Sequence, residues 1–384
     1  MKILMVLDHE FPSDIRVENE ATALISAGNQ VHITCYTQKD RPRTDIFKGI
    51  AIHRISINKF IYKSSVAALT FPHYFNFWRR FLSVLLSREK FDVIHIHDLP
   101  LAKVGAELKD KFGVKLVLDL HENWPALLRV ATHTNTFLGK LLSPNFLWVK
   151  YEKIILKSAD RIIVVVDEAK ERLKNLGIDY SKVEVVSNTL NEVEFGIPNL
   201  QPDSNYFTLY YAGGINLHRG LQTVIEALPI ALEKVSNVRF RIAGSGSYQK
   251  ELEQLAIKLN VKNSVEFLGH LSLADVAKNL AMCNAALIPH LKTDHTDSTI
   301  PHKLFQYMYI NKPIIASNCT PIERIIKETT SGLVFISGNA HDLAEKIVLL
   351  ATKQIEIALA RSWVETKYNW KVDAAKLTEL YNSL

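Results

Sequence analysis

At 384 residues the chain is longer than one ordinary hydrophobic core supports, so two domains are expected. Hydrophobic residues make up 47% and charged residues 22%, which excludes a disordered chain, and no apolar run approaches the roughly 18 residues of a membrane span. The net charge of +6 is too small at this length to argue for nucleic acid, and three cysteines without a Cys-x-x-Cys pair give neither a disulfide framework nor a zinc site, as expected of a cytoplasmic protein.

The N-terminal MKILMVLD is too short for a secretory signal and suits a first buried strand, Ile3 to Leu7. A helix from Ile15 to Ala27 ends at Gly28, and strands follow at Val31 to Tyr36 and Ile50 to Ile57. Residues 59–90 carry six basic residues against the single acid Glu89, interleaved with aromatics, and suit either an anionic lipid surface or a helix whose apolar side is core. Further strands are expected at Asp92 to His97, Lys115 to Leu120, Arg161 to Val166 and Val183 to Val186, with helical sequence between them, continuous from Pro125 to Ser158. Short buried strands alternating with helices predict a parallel, doubly wound α/β sheet.

Residues 187–206 lack periodicity and read as a linker, a natural hinge for domain closure. The alternation then restarts, with strands at Thr208 to Ala212, Arg239 to Ala243, Val265 to Leu268, Ala285 to Ile288 and Ile314 to Ser317. Gly213, Gly214 and Gly244 fall just after strands, where open α/β sheets place ligands. The domains are 1–190 and 191–362, with a terminal helix at 363–384 expected to pack back on the first.

Between the last two strands, a polar loop from Lys292 to Thr299 leads into a helix from Pro301 to about Ile310. Free N–H groups at a helix start suit an anion, and Ser298, Thr299, His302 and Lys303 lie beside them. The bland reading is a common strand–loop–helix unit with Leu304, Phe305 and Met308 as core. His290, His295 and His302 match no common zinc spacing, and no metal is assigned there.

In this order and spacing, the segments YAGGINLHRG, FRIAGSGS, VEFLGHLSLADVAKNL and PHKLFQYM resemble the second domain of retaining glycosyltransferases of family 4 (glycosyl transferases group 1). The segments DIRVENEATALISAGNQVHI, FDVIHIHDLP and LDLHENWP resemble that family's acceptor-side domain. The resemblance covers nearly the whole chain. It implies the GT-B fold, two Rossmann-like domains facing each other across a cleft, and transfer of a sugar from a nucleotide-diphosphate sugar, most often a UDP-sugar, to a hydroxyl acceptor.

Carried over by position, it places Arg219 and Lys303 at the donor pyrophosphate and His121 near the donor sugar, as catalytic residues. Gly213, Gly214, Gly244, Ser298, Thr299, His302 and Gln306 fall at the donor, with the nucleobase against the backbone of His270 and Leu271. Ser298 and Gln306 stand where the family's E-x7-E pattern has its two glutamates, and Gly214 where relatives are often basic. Asp14, Arg16 and Glu122 fall on the acceptor side. The family's Gly-Gly loop is replaced here by HEFPSDIRVE, so Arg16 is either an acceptor or phosphate contact or the partner of an acid on its own helix. The resemblance implies no cofactor besides the co-substrate and an acceptor that is a saccharide or lipid-linked saccharide, in surface polysaccharide or glycolipid assembly. If 59–90 meets lipid, the protein sits peripherally at the inner face of the plasma membrane.

The chain contains no Asp-x-Asp spacing, so a metal clamp of that type has no support and fixed cations are left to stabilise the leaving diphosphate. No glycosidase-type carboxylate pair can be assigned. A catalytically silent nucleotide-sugar-binding partner is the alternative, and an epimerase on this fold would need acid/base groups that are not evident.

Overall fold

The structure, a computed structural model, describes the chain except residues 13, 131–135, 193 and 194 and the side chain of Leu138. It divides into two compact units, Met1–Ser187 with Asp373–Leu384, and Asn188–Val372.

The first unit comprises β1 Lys2–Val6, α1 Ile15–Ser26, β2 Gln30–Thr37, β3 Thr44–Phe47, β4 Ile50–Ser56, α2 Lys59–Ser64, α3 His73–Arg88, β5 Val93–His97 and α4 Ala102–Phe112. It continues with β6 Lys115–Leu120, α5 Trp124–Val130, α6 Phe137–Leu142, α7 Asn145–Ile155, β7 Arg161–Val164, α8 Asp167–Asn175 and β8 Val183–Val185. Its sheet runs β3-β4-β2-β1-β5-β6-β7-β8. All neighbours are parallel except β3, which pairs antiparallel with β4 at the edge. The inner strands are buried, β1 and β5 almost along their whole length, and β1 is apolar on both faces whereas β5 carries His95 and His97 on one of them.

The second unit comprises β9 Phe207–Ala212, α9 Leu221–Leu232, β10 Val238–Ala243, α10 Gln249–Lys258, β11 Val265–Gly269, α11 Leu273–Ala281, β12 Ala285–Ile288 and α12 Lys303–Tyr309. Then follow β13 Ile314–Ser317, α13 Thr320–Thr329, β14 Gly332–Phe335, α14 Ala340–Ala351 and α15 Arg361–Thr366, while α16 Trp370–Asn382 carries the chain back to the first unit. The all-parallel sheet runs β11-β10-β9-β12-β13-β14, so the order reverses between β9 and β12. On one face of this sheet, Leu209, Tyr211, Phe240, Leu287 and Ile315 form a core with Val224 and Leu228 of α9 and Ile347 of α14.

The predicted strands stand within a residue or two, but three expectations change. The unbroken helical reading from Pro125 to Ser158 resolves into α5, α6, α7 and a short 3-10 turn, and its stretch at 131–135 lies outside the described residues. Pro301 is not in the first turn of α12: the helix starts at Lys303 with His302 at its cap. Residues 59–90 split, because α3 buries Tyr74, Phe75, Trp78, Leu82, Leu85 and Leu86 as core whereas α2 buries nothing. Arg79 is bound to Glu107 through two nitrogens, at 2.5 and 2.8 Å, so the α3 face is not a free basic one.

Candidate active site

In the first unit, the register of two parallel strands assembles a buried ionic network. β5 and β6 set His97 opposite Asp119, and period-2 alternation puts His95 on the same face as His97. Asp14 caps α1, accepting from the Val17 N–H at 3.2 Å, and the helix then places Arg16 and Glu20 one turn apart over that face. The Arg16 guanidinium grips Asp119 through Nε at 3.1 Å and Nη2 at 2.8 Å, donates from Nη1 to the Val186 carbonyl at 3.0 Å, and lies 3.0 Å from Glu20. The His121 Nε2 meets Asp119 Oδ2 at 2.8 Å, and the His97 Nδ1 meets the same oxygen at 3.2 Å. Asp98, at a left-handed φ of 64° just past β5, accepts from the His121 backbone N–H at 3.0 Å and holds the ring from its other side.

The electrostatics follow from burial with this pairing. Burial alone would raise the Asp119 carboxyl, but Arg16 and His121 outweigh it and hold it well below the usual carboxylate range. Burial opposes a charge on His121, yet the Asp119 and Asp98 carboxylates push its pKa up to about 10, so it is an imidazolium at neutral pH. Burial, then the Asp119 charge, keeps the Glu20 carboxyl well above its ordinary range. Burial and then Asp98 raise Asp8 to about 6. His95 stays neutral because burial and His97 disfavour its charge, and its Nδ1 is 2.8 Å from the Tyr381 hydroxyl of α16.

Glu20, His95, His97 and Asp119 lie close enough to suggest a metal cage. The arrangement does not suit one. Arg16 already supplies the cation, and the His95 and His97 rings stack at 4.3 Å, so their lone pairs run alongside each other rather than converging.

Arg16, expected at an acceptor or phosphate contact or paired with an acid of its own helix, is buried, and its charge is committed to Asp119. The alternative, pairing with an acid of its own helix, is met by Glu20, but the pair is buried rather than superficial. Asp14 serves as a helix cap and lies 3.2 Å from His9, and Glu122 is half-buried just past His121. Sequence reasoning missed Asp119, Glu20 and Tyr381. Asp119 stands in the Asp-x-His spacing, which was the available signal; Tyr381 left none.

In the second unit, the carboxyl ends of β9, β10 and β12 surround a second constellation. The turn Leu217–Arg219, closed by Gly220, projects Arg219 to within 3.3 Å of His290 Nε2, just past β12. Lys303, the first residue of α12, sets its ammonium 3.8 Å from the centroid of the Tyr211 ring. The Tyr211 hydroxyl donates to the Gly214 carbonyl at 2.9 Å, fixing the Gly213-Gly214 turn beneath. Gly213 has φ 143°, and a Cβ there would stand 2.5 Å from Lys303 Nζ; a Cβ at Gly244, φ 131°, would overlap the Gly213 carbonyl oxygen. Gly244 is demanded by close approach to backbone as well as by conformation, and Gly213 by its conformation, since the tip of the Lys303 side chain can shift.

Two cations thus share this pocket, and among the described residues no carboxylate pairs with either. Burial and then the Arg219 charge drive the Lys303 pKa well below the usual lysine value. The same causes, with Lys303 added, hold His290 neutral. Arg219 Nε is buried without a hydrogen-bond partner.

The remaining predicted donor residues are less uniform. Ser298 is buried, its hydroxyl donating to the Asp294 carbonyl at 2.8 Å, and His302 Nδ1 is 3.0 Å from the Asn188 carbonyl oxygen. Gln306 is buried on α12, Thr299 is half-buried, His270 is exposed and Leu271 half-buried. His290 and Tyr211 were not singled out at this site from sequence.

Comparison with known proteins agrees with both units. The family Glycosyltransferase Family 4 matches residues 14–192, and Glycosyl transferases group 1 matches residues 194–370, so together they take in nearly the whole chain. The chain belongs to the family 4 glycosyltransferases of the GT-B fold, and it is a glycosyltransferase.

Its relatives are distant. An uncharacterized glycosyltransferase of Methanocaldococcus jannaschii is 23% identical, over 99% of this chain and 98% of the relative. The glycogen synthase of Mycobacterium tuberculosis is 21% identical, over 99% and 94%. Among solved structures, sucrose-phosphate synthase of Thermosynechococcus elongatus superposes with a TM-score of 0.77 at 18% identity, covering 100% of this chain and 98% of that one. HepE of Anabaena in complex with UDP superposes with a TM-score of 0.73 at 15% identity, covering 100% of both. Among the described residues, no helix is long and apolar enough to cross a membrane.

Proposed function

We propose that this chain transfers a sugar from a nucleoside-diphosphate sugar, with UDP as the first candidate, to a hydroxyl of a saccharide or lipid-linked saccharide, retaining the anomeric configuration. The observation that carries the reading is the Arg219–Lys303 pair: two cations held together with no carboxylate paired to either among the described residues, one with an unpartnered buried Nε, form a site that gains most from a polyanion. HepE, a structural neighbour, binds UDP and has also been crystallised with UDP-glucose.

The bond from the anomeric carbon to the diphosphate breaks as the bond to the acceptor oxygen forms on the same face, and the departing phosphate oxygen takes the acceptor's proton. Arg219 and Lys303 stabilise the charge that develops on the diphosphate, so no metal clamp is needed. His121, an imidazolium held by Asp119 and Asp98, supplies a fixed positive charge on the acceptor-side unit. Ser298 and Gln306, where carboxylates would be expected, leave ribose recognition to neutral groups.

The test is turnover of a panel of nucleoside-diphosphate sugars in EDTA, with the product anomer read by NMR. One donor consumed without metal, with retention, supports the proposal. Inversion would refute the mechanism, and ligand-induced stabilisation without turnover of any donor would favour a silent binding partner.

A further inference from the structure

The consecutive helices α6 and α7 carry several exposed apolar side chains. Phe137 is 84% exposed, Leu141 64%, Phe146 69% and Ile154 60%, more open than almost any other large apolar side chain of the chain. The inner side of α7 explains the pattern. Trp148 is buried against Trp124 and Tyr151, with ring centroids 6.0 and 5.6 Å away, and Glu152 one turn on is buried and held by Arg172 at 2.7 and 2.9 Å. With that stripe committed to the core, Phe146, Lys150, Lys153 and Ile154 share the opposite stripe, at spacings of four, seven and eight residues. On α6, Phe137, Lys140 and Leu141 share a face in the same way.

The charge on this surface has one sign. Glu152 is the only acid between residues 136 and 158, and Arg172 neutralises it, while Lys140, Lys150 and Lys153 are exposed. Single exposed apolar residues are ordinary, but a cluster of phenylalanine and aliphatic side chains fringed by lysine marks a surface to be covered. A protein interface of this kind would be depleted of lysine. Anionic lipid is matched by both halves: apolar side chains enter the acyl boundary and lysines meet the headgroup phosphates. The Thr70 hydroxyl donates to the Leu142 carbonyl at 2.9 Å, so the chain after exposed α2, including Phe71 at 46% exposure, borders the same face.

We infer that the α6–α7 face binds an anionic membrane surface. This site differs from the one that composition alone suggested at 59–90, where α3 commits Tyr74, Phe75, Trp78, Leu82, Leu85 and Leu86 to the core. The inference does not depend on which donor or acceptor the enzyme uses.

The full chain would be co-sedimented with phosphatidylcholine vesicles with and without phosphatidylglycerol. Binding is expected only with phosphatidylglycerol and should weaken as salt rises. Replacing Lys150 and Lys153 by Gln should weaken it on the order of 30-fold, and Phe137→Asp with Phe146→Asp should weaken it about tenfold or more. Because these side chains are exposed, both variants should keep the wild-type melting temperature and the wild-type rate on a soluble acceptor. Equal binding to neutral vesicles, or no effect of either variant, would overturn the inference. Loss of self-association in the phenylalanine variant, with vesicle binding unchanged, would assign the face to a second protein instead.

Discussion

Asp119→Asn removes one charge from a network where it is the shared counter-ion of Arg16 and His121. The side chain keeps its size and one acceptor oxygen, so the change isolates charge. Arg16 loses a two-point ion pair at 2.8 and 3.1 Å and His121 a contact of 2.8 Å, all in buried surroundings. Removing one partner of a buried pair costs about 3–5 kcal/mol, because the remaining charge is stranded away from water. For a domain of this size each kcal/mol moves the melting temperature by about 2–4 °C, so a fall of roughly 10 °C is expected. The assay is thermal unfolding followed by circular dichroism on Asp119→Asn, on Arg16→Met, and on Arg16→Met combined with Asp119→Leu. The double variant should recover much of the loss, since an apolar pair no longer strands a charge. An Asp119→Asn protein melting within about 2 °C of wild type, or single costs that merely add in the double variant, would refute the reasoning.

The same network sets the pH dependence. The His121 pKa is raised from 6.5 to about 10, so its contribution to stability is complete below about pH 6.5 and disappears as pH rises to 10, and His121→Gln should flatten that limb of a melting-temperature profile. Asp119 is shifted the other way, so its contribution is present above about pH 4 and is lost on acidification; Asp119→Asn should flatten the acid limb. In the second unit, Lys303→Ala or Arg219→Ala should lower turnover by 10²–10³, about 3 kcal/mol of transition-state stabilisation, and near-normal rates in both would contradict the assigned roles. Lys303→Met should leave the melting temperature unchanged or higher, since it removes like-charge repulsion, whereas a purely structural lysine would cost stability on removal. Gly244→Ala should cost about 2 kcal/mol or more, seen as a lower denaturation midpoint, because its Cβ would strike the Gly213 carbonyl.

Much of the fold could be read from the chain because most of its strands are short apolar runs bounded by turn residues, as in Ile3–Leu7 and Ala285–Ile288. β3 escaped because TDIF is too short to show a pattern and its Ile46 faces outward. β14 escaped because Gly332 to Phe335 is four residues with no alternation. The alternation in VIHIHD put His95 and His97 on one face, as the structure has them, but nothing local shows that Arg16, 103 residues before Asp119, completes that face. Only the register of the parallel strands and the rotation of α1 bring them together. The motifs place Arg219 and Lys303 at one site; that no acid accompanies them among the described residues depends on what the folded loops bring near, which no local pattern records. For residues 59–90, composition left lipid and core both open, and burial along α3 decides for core over residues 73–88.

Arg219 and Lys303 are proposed to form a diphosphate site that needs no metal. Isothermal titration of UDP into the protein in EDTA, repeated in buffers of different ionisation enthalpy and on Lys303→Met, tests it most directly. Binding should persist without metal and be at least tenfold weaker in the variant. Burial and the Arg219 charge lower the Lys303 pKa and a bound diphosphate would oppose that shift, so any proton uptake that accompanies binding should be lost in the variant. Binding that required a divalent ion, or an affinity unchanged by Lys303→Met, would contradict the account.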